Sequence, residues 1–296
     1  MTHPALTKPI DHAPLRAQVA ALAATGTRLE TPGPNGPMVW HRFGSGGPVL
    51  ALFHGGWGSW THWFRCIPRL SKEFTLLCAD TPGLGDSAEP PEPHTADGIA
   101  AIMAEGVRQL VPGNEPFHLA GFSFGGLLGS LVARDMGGRC RSFVAVGASG
   151  FGKLHNPPRD TRLPEKGMSE DEIDALQKRN LEILMFKDPA KIDALAVHIH
   201  RENLARGRVR SRPISLTDAL LKAVPDVKAS LAGIWGEFDV TVAGREGMDL
   251  RAQVLRQNQP AAPFHVIPGA GHWVMYEAAD EFCDCLIGTL KTLNPY

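Results

Sequence analysis

Apolar residues recur along this chain in two alternating formats: short unbroken runs that end in glycine, and longer stretches with helical spacing. Residues 49–56 (VLALFHGG) are such a run, and a strand buried on both faces of a parallel sheet reads this way. The run recurs as Leu76–Ala79 before Asp80, Phe117–Ala120 before Gly121 and Phe143–Val146 before Gly147, with a helix-length amphipathic segment between neighbours. Strand alternating with helix predicts a parallel sheet with crossover helices. Ahead of it, residues 10–25 read as a helix. The segment TGTRLETPGPNGPMVWHRFGSGG reads as two strands about a Pro/Gly/Asn turn, with Met38–Phe43 the second, so the sheet starts antiparallel.

From about Phe151 to Asp226 the alternation stops. Helical stretches such as SEDEIDALQKRNLEILMF and SLTDALLKAV take over among proline- and arginine-rich connections, and Ser169 with Glu172 matches a capping box. LAGIWG (231–236), AQVLRQNQ, PFHVIPG (263–269) and a closing helix from about Met275 to Leu293 restore the alternation. The prediction is an α/β core domain, residues 1–150 and 227–296, with a helical cap (lid) inserted at 151–226. No internal repeat or low-complexity tract interrupts it.

With 296 residues and 43% hydrophobic content, the chain can bury a full core. Lys+Arg (30) and Asp+Glu (31) balance, so no global field draws nucleic acid or anionic membranes, and a small-molecule partner is expected. The cysteines at 66, 78, 140, 283 and 285 are odd in number and lack finger spacing, which reads as reduced thiols. The opening MTHPALTKPIDHAPLR has no apolar stretch behind a basic start, and nowhere do eighteen uncharged apolar residues run together. A cytoplasmic protein is expected. Its charge balance and apolar cap helices permit a homodimer.

Gly121-Phe122-Ser123-Phe124-Gly125 fits the G-x-S-x-G turn in which two glycines let a serine oxygen project above a sheet. The pattern is short, so context must carry it. FHLA before it is strand-like and GGLLGSLVARDM after it is helical, which gives the strand, turn and helix the motif requires. The helix N-terminus also offers free N–H groups to a developing oxyanion. A serine needs a base to take its proton, and histidine is suited to that near neutrality. His272, in PGAGHWV, follows the last strand on a glycine-rich loop at the carboxyl edge of the sheet, where open α/β sheets place their sites. The carboxylate that orients the imidazole is Asp239 in LAGIWGEFDV, with Glu237 as its rival. The order Ser, Asp, His is that of one triad architecture among several. A second oxyanion donor belongs on the loop His54-Gly55-Gly56-Trp57-Gly58, so Gly56 N–H is paired with Phe124 N–H.

Taken together, HGGWGSWTHW, DTPGLGDS at 80–87, GFSFGG, GEFD and GAGHW resemble the α/β-hydrolase superfamily in its capped esterase and C–C hydrolase branches, from about residue 38 onward. The resemblance implies a mostly parallel eight-stranded sheet, acyl chemistry at Ser123, no metal and no organic cofactor. It makes His54 and Asp80–Gly83 structural loop elements. Branches that act on epoxides or carbon–halogen bonds place an aspartate where Ser123 stands. His272-Trp273 is similar to the GHW of hydrolases that cleave vinylogous diketones, whose substrates carry a carboxylate gripped by a cap arginine. Arg201, Arg206, Arg208, Arg210 and Arg212 are the candidates here, against a reading of this run as a solvated face. Trp57-Gly58-Ser59 and Phe122 depart from that branch, which carries a proline-containing glycine loop and an asparagine before the serine. The leading reading is a serine esterase for a small apolar ester. The alternatives are the C–C hydrolase and a non-catalytic or slow-turnover ligand-binding receptor of the same fold. Trp57, Phe122 and Trp273 are candidate pocket residues. His198-x-His200 with Glu202 falls in a helical stretch where residues two apart diverge, so no metal is assigned.

Overall fold

A computed structural model describes residues 9–154 and 156–294. The chain runs α1 (His12–Ala23), β1 (Thr27–Thr31), β2 (Met38–Phe43), β3 (Val49–Phe53), α2 (Ile67–Leu70), β4 (Thr75–Ala79), α3 (Ala96–Leu110), β5 (Phe117–Phe122), α4 (Phe124–Met136) and β6 (Cys140–Val146). It continues α5 (Glu170–Leu184), α6 (Ala194–Ala205), α7 (Ser211–Ser215), α8 (Ala219–Ala223), β7 (Ser230–Gly236), α9 (Gly244–Asn258), β8 (Phe264–Ile267), α10 (Val274–Glu277) and α11 (Ala279–Leu293). The eight strands form one sheet in the order β1-β2-β4-β3-β5-β6-β7-β8. β2 pairs antiparallel with β1 and β4, and every other pairing is parallel.

The unbroken apolar runs are explained by two cores. Successive strand residues point to opposite faces. Ala51, Phe53, Leu119 and Phe143 enter a core with α3, α4, α8 and α9, while Leu50, Leu52, Ala120 and Val144 enter one with α5, α6, α10 and α11. Truncating one such residue, Leu119→Ala for example, costs about 2–5 kcal/mol. Asp11 caps α1, and Ser169 and Glu172 close a capping box on α5.

Two helices are more broken than the sequence predicts. The stretch read as one helix over SLTDALLKAV divides into α7 and α8, where the Thr217 hydroxyl and N–H both turn back onto the Ile214 carbonyl. The closing helix breaks at Ala278 (φ −135°), and this turns the Glu277 carboxylate inward. Between β6 and β7 the described residues are helical or irregular, without a strand. Among the described residues no helix is long and apolar enough to cross a membrane.

Candidate active site

The parallel strands end at one edge of the sheet. There β3 delivers His54, β5 delivers Ser123, β7 leads to Asp239 and β8 leads to His272. Ser123 takes φ 51° and ψ −114°, a left-handed conformation that side chains rarely adopt and that lifts its oxygen off the β5–α4 turn. Close packing of that turn demands its glycines. A Cβ on Gly121 would stand 2.3 Å from the Gly125 carbonyl oxygen, and one on Gly125 would stand 2.4 Å from that of His54.

His272 Nδ1 lies 2.8 Å from Asp239 Oδ2, and Nε2 lies 3.1 Å from Ser123 Oγ. An ionised carboxylate only accepts, so the ring proton sits on Nδ1 and Nε2 presents its lone pair to the serine. The other oxygen, Oδ1, accepts the Thr241 hydroxyl at 2.7 Å and the Thr241 N–H at 2.9 Å. Burial works to raise the Asp239 pKa. The charge and hydrogen bond of His272 and the two bonds from Thr241 outweigh it and hold the carboxyl below its usual range. Glu237 is exposed and accepts the Gly269 N–H at 2.9 Å instead.

Among the described residues, neither the Gly56 N–H nor the Phe124 N–H donates to another group. Phe124 opens α4, where helical N–H groups lack partners. A Cβ on Gly55 would stand 3.3 Å from Ser123 Cβ, so the early loop rides against the serine. His54 Nδ1–H donates to the Gly55 carbonyl at 2.7 Å, and its Nε2 accepts the Thr81 N–H at 2.9 Å. Since the Gly55–Gly56 peptide is planar, holding its carbonyl sets the direction of the Gly56 N–H. Burial lowers the His54 pKa to about 4, so this imidazole is neutral. Asp80 carries the neighbouring loop by accepting the N–H groups of Trp60 and Asp86.

A cavity of about 120 Å³ opens on Ser123 and His272. Trp57 and Phe122 line it, as do Ser211 and Arg212. Trp57 itself has φ 52°, and its indole lies on Gly207, where a Cβ would come within 2.4 Å of the ring. Trp273 is not in the wall. It is fully buried behind His272, donates its indole N–H to the His62 carbonyl at 2.9 Å and packs on Phe186 and Tyr276. Being next in sequence to a site histidine, on a chain that turns into α10, directs it into the core.

The arginines part company. Arg201 pairs with Asp174 and Glu170, Arg206 pairs with Asp86, and Arg208 donates to the carbonyls of Gly85 and Ser87. Arg210 is exposed. Arg212 alone of the five lines the cavity, with one nitrogen held by the Pro157 and Pro158 carbonyls. His198 bonds to His12 on α1, while His200 is buried separately with its pKa lowered to about 4 by burial. His41, Asp80 and Asp86 lie close enough to face one cation, but both Asp80 oxygens already accept N–H groups and Arg206 neutralises Asp86.

Sequence reasoning did not find Glu277. Its buried carboxylate accepts N–H groups from Gly271 at 2.6 Å, Lys187 at 3.0 Å and Asp188 at 2.7 Å. It thereby ties the loop before His272 to the chain after α5.

The Alpha/beta hydrolase family model matches residues 49–285. The chain belongs to this family. Among its relatives, a 2-hydroxy-6-oxononadienedioate/2-hydroxy-6-oxononatrienedioate hydrolase of Comamonas testosteroni is 27% identical over 250 residues, covering 80% of this chain and 85% of the relative. A 2-hydroxy-6-oxo-6-phenylhexa-2,4-dienoate hydrolase of Burkholderia cepacia is 28% identical over 251 residues, with the same shares of 80% and 85%. The structure of an esterase from Rhodococcus sp. ECU1013 superposes with a TM-score of 0.73 at 19% identity, covering 90% of this chain and 99% of the esterase. At that identity the likeness concerns the fold.

Proposed function

We propose that this protein is a serine hydrolase that cleaves a small carboxylic ester through an acyl-enzyme on Ser123. The observation that carries the reading is the continuous line from Ser123 through His272 to Asp239, with Ser123 and His272 lining a cavity. Ser123 Oγ bonds to the ester carbonyl carbon as its proton passes to His272 Nε2, and Asp239 supports the imidazolium. The carbonyl oxygen gains charge opposite the N–H groups of Gly56 and Phe124. The C–O bond then breaks, and the imidazolium proton goes to the departing alkoxide. A water gives one proton to His272 as its oxygen bonds to the acyl carbon, and the Oγ–acyl bond then breaks as the imidazolium returns that proton to Ser123 Oγ, which releases the acid. Every proton moves through one imidazole, so the chain's own residues suffice.

The small cavity and its Trp57 and Phe122 walls favour a short, apolar acyl group. We read residues 151–226 as a lid on a core of 1–150 and 227–296, because Arg206, Arg208 and Glu277 fasten that segment over the site. Cys66, Cys78, Cys140, Cys283 and Cys285 are free thiols, which supports a cytoplasmic setting.

A second reading is a C–C bond hydrolase for a keto acid, and Arg212 favours it. A guanidinium on the cavity wall, with donors to spare, matches a substrate carboxylate. The two relatives above carry names of keto-acid hydrolases. The test is a panel of p-nitrophenyl acetate, p-nitrophenyl butyrate and a 2-hydroxy-6-oxo-dienoate with wild type, Ser123→Ala and Arg212→Met. Ester turnover that Ser123→Ala abolishes and Arg212→Met spares supports the esterase. A larger kcat/KM for the keto acid that collapses in Arg212→Met replaces it with the second reading, and binding without turnover of any of them overturns both.

A further inference from the structure

Arg251, on α9, is a charged side chain wholly withdrawn from solvent. Its Nη1 donates to the Gly247 carbonyl at 3.0 Å, and its Nη2 donates to the carbonyls of Leu154 at 2.8 Å and Thr241 at 3.4 Å. The guanidinium lies over the Phe151 ring, with Cζ 5.0 Å from its centroid. No carboxylate shares these bonds among the described residues, and Nε has no partner. A buried cation is costly unless an opposite charge compensates it. The opposite charge that acts on this one is Asp239, which is itself buried. Thr241 stands between them, its carbonyl turned to Arg251 and its hydroxyl and N–H given to Asp239 Oδ1.

We propose that Arg251 is a positioning residue of the catalytic centre: acting through Thr241, it fixes the Asp239 carboxylate against His272 and sets a positive charge on the other side of it. The proposal rests on the triad reading above. A planar fork is what the place requires, because its donors reach three carbonyls on three segments of chain, the α9 helix, residues 151–154 and the turn after β7. Burial brings its pKa down, against the pull of Asp239, to about 10, so it stays protonated at neutral pH. Other charges on the elements packed around it are Lys153, Arg245, Glu246, Asp249 and Arg256, all exposed and screened by water. His272 lies on the far side of Asp239. Asp239 therefore sits between an imidazole and a guanidinium. Taking the guanidinium away makes Asp239 bind a proton more readily.

The experiment compares wild type, Arg251→Lys and Arg251→Met. In Arg251→Met the acid limb of the kcat/KM profile for p-nitrophenyl butyrate moves to higher pH by about half a unit or more. kcat falls about tenfold or more with KM nearly unchanged, and Arg251→Lys recovers most of the limb. A lowered melting temperature with the limb unmoved makes the residue merely structural and overturns the proposal. The downfield proton resonance of His272 Nδ1–H supplies a readout that needs no turnover. It is present in wild type and titrates at higher pH in Arg251→Met, or in Arg251→Gln should the Met variant not fold. An identical titration in wild type and variant overturns the proposal. A wild type that shows the resonance and cleaves no ester refutes the esterase while leaving the role of Arg251 to be read from the titration.

Discussion

Replacing Asp239 by Asn tests the triad geometry through the tautomer of one ring. Asp239 Oδ1 accepts two hydrogen bonds from Thr241, at 2.7 and 2.9 Å. In Asp239→Asn the amide oxygen must take that place, because two donors point there. The amide nitrogen then falls where Oδ2 stood, 2.8 Å from His272 Nδ1, and donates to it. The ring proton is driven to Nε2, facing Ser123 at 3.1 Å, where it cannot accept the serine proton. Reaching the reactive tautomer sets two donors against each other and gives up a charge-assisted bond worth about 1.5–3 kcal/mol. The imidazolium also loses its counter-charge, for which an effective dielectric near 20 gives at most about 6 kcal/mol at this distance. Together these predict a loss of about 4–6 kcal/mol of transition-state stabilisation, roughly 10³- to 10⁴-fold in kcat. The assay is steady-state hydrolysis of p-nitrophenyl butyrate at pH 7.5, with the melting temperature as a control for folding. A folded Asp239→Asn that keeps a tenth or more of wild-type kcat refutes the argument. Glu237→Gln, whose carboxylate lies on the surface, should leave kcat within about twofold.

The buried Glu277 carboxylate accepts three backbone N–H groups, so Glu277→Gln places an amide NH₂ against at least one donor. We expect a cost of about 1–3 kcal/mol in chemical unfolding and a lower kcat, since the His272 loop loses its anchor. Burial lowers the pKa values of His41, His54, His118 and His200 to about 4 each. Between pH 6.5 and about 4 the unfolded chain therefore binds protons that the folded chain does not. Stability is fully present above that window and falls as the pH drops through it. Urea unfolding at pH 7.5, 6 and 5 should show a steadily lower midpoint, and a flat series contradicts these shifts.

Much of this architecture was readable from the chain. Glycine-ended apolar runs mark strands buried on both faces, and Leu50 and Ala51 in opposite cores show why such runs lack alternation. Ser123 and His272 stood out because each occupies a loop at the end of a strand run, with local glycines that the packing requires. Asp239 was preferred to Glu237 from its place after the β7 run, and what the chain did not reveal is that Glu237 turns to the Gly269 N–H instead. Thr241, Arg251 and Glu277 escaped notice because their roles exist only when segments far apart in sequence meet. Arg251 reaches Leu154, and Glu277 reaches Lys187. The arginine run shows the same limit. Five similar side chains sort into two ion-paired, one held by carbonyls, one exposed and one cavity-facing guanidinium according to what each meets across the fold. Trp273 entered the pocket list by adjacency to His272, yet its side chain turns into the core.

The central claim is that Ser123 carries the acyl group, and a covalent trap tests it most directly. Wild type and Ser123→Ala are incubated with a fluorophosphonate ester, and the intact mass and the peptide map are read by mass spectrometry. The geometry predicts one adduct per chain, on Ser123, with matching loss of esterase activity, and none on Ser123→Ala. An adduct on another residue, or an active wild type that forms none, contradicts the account.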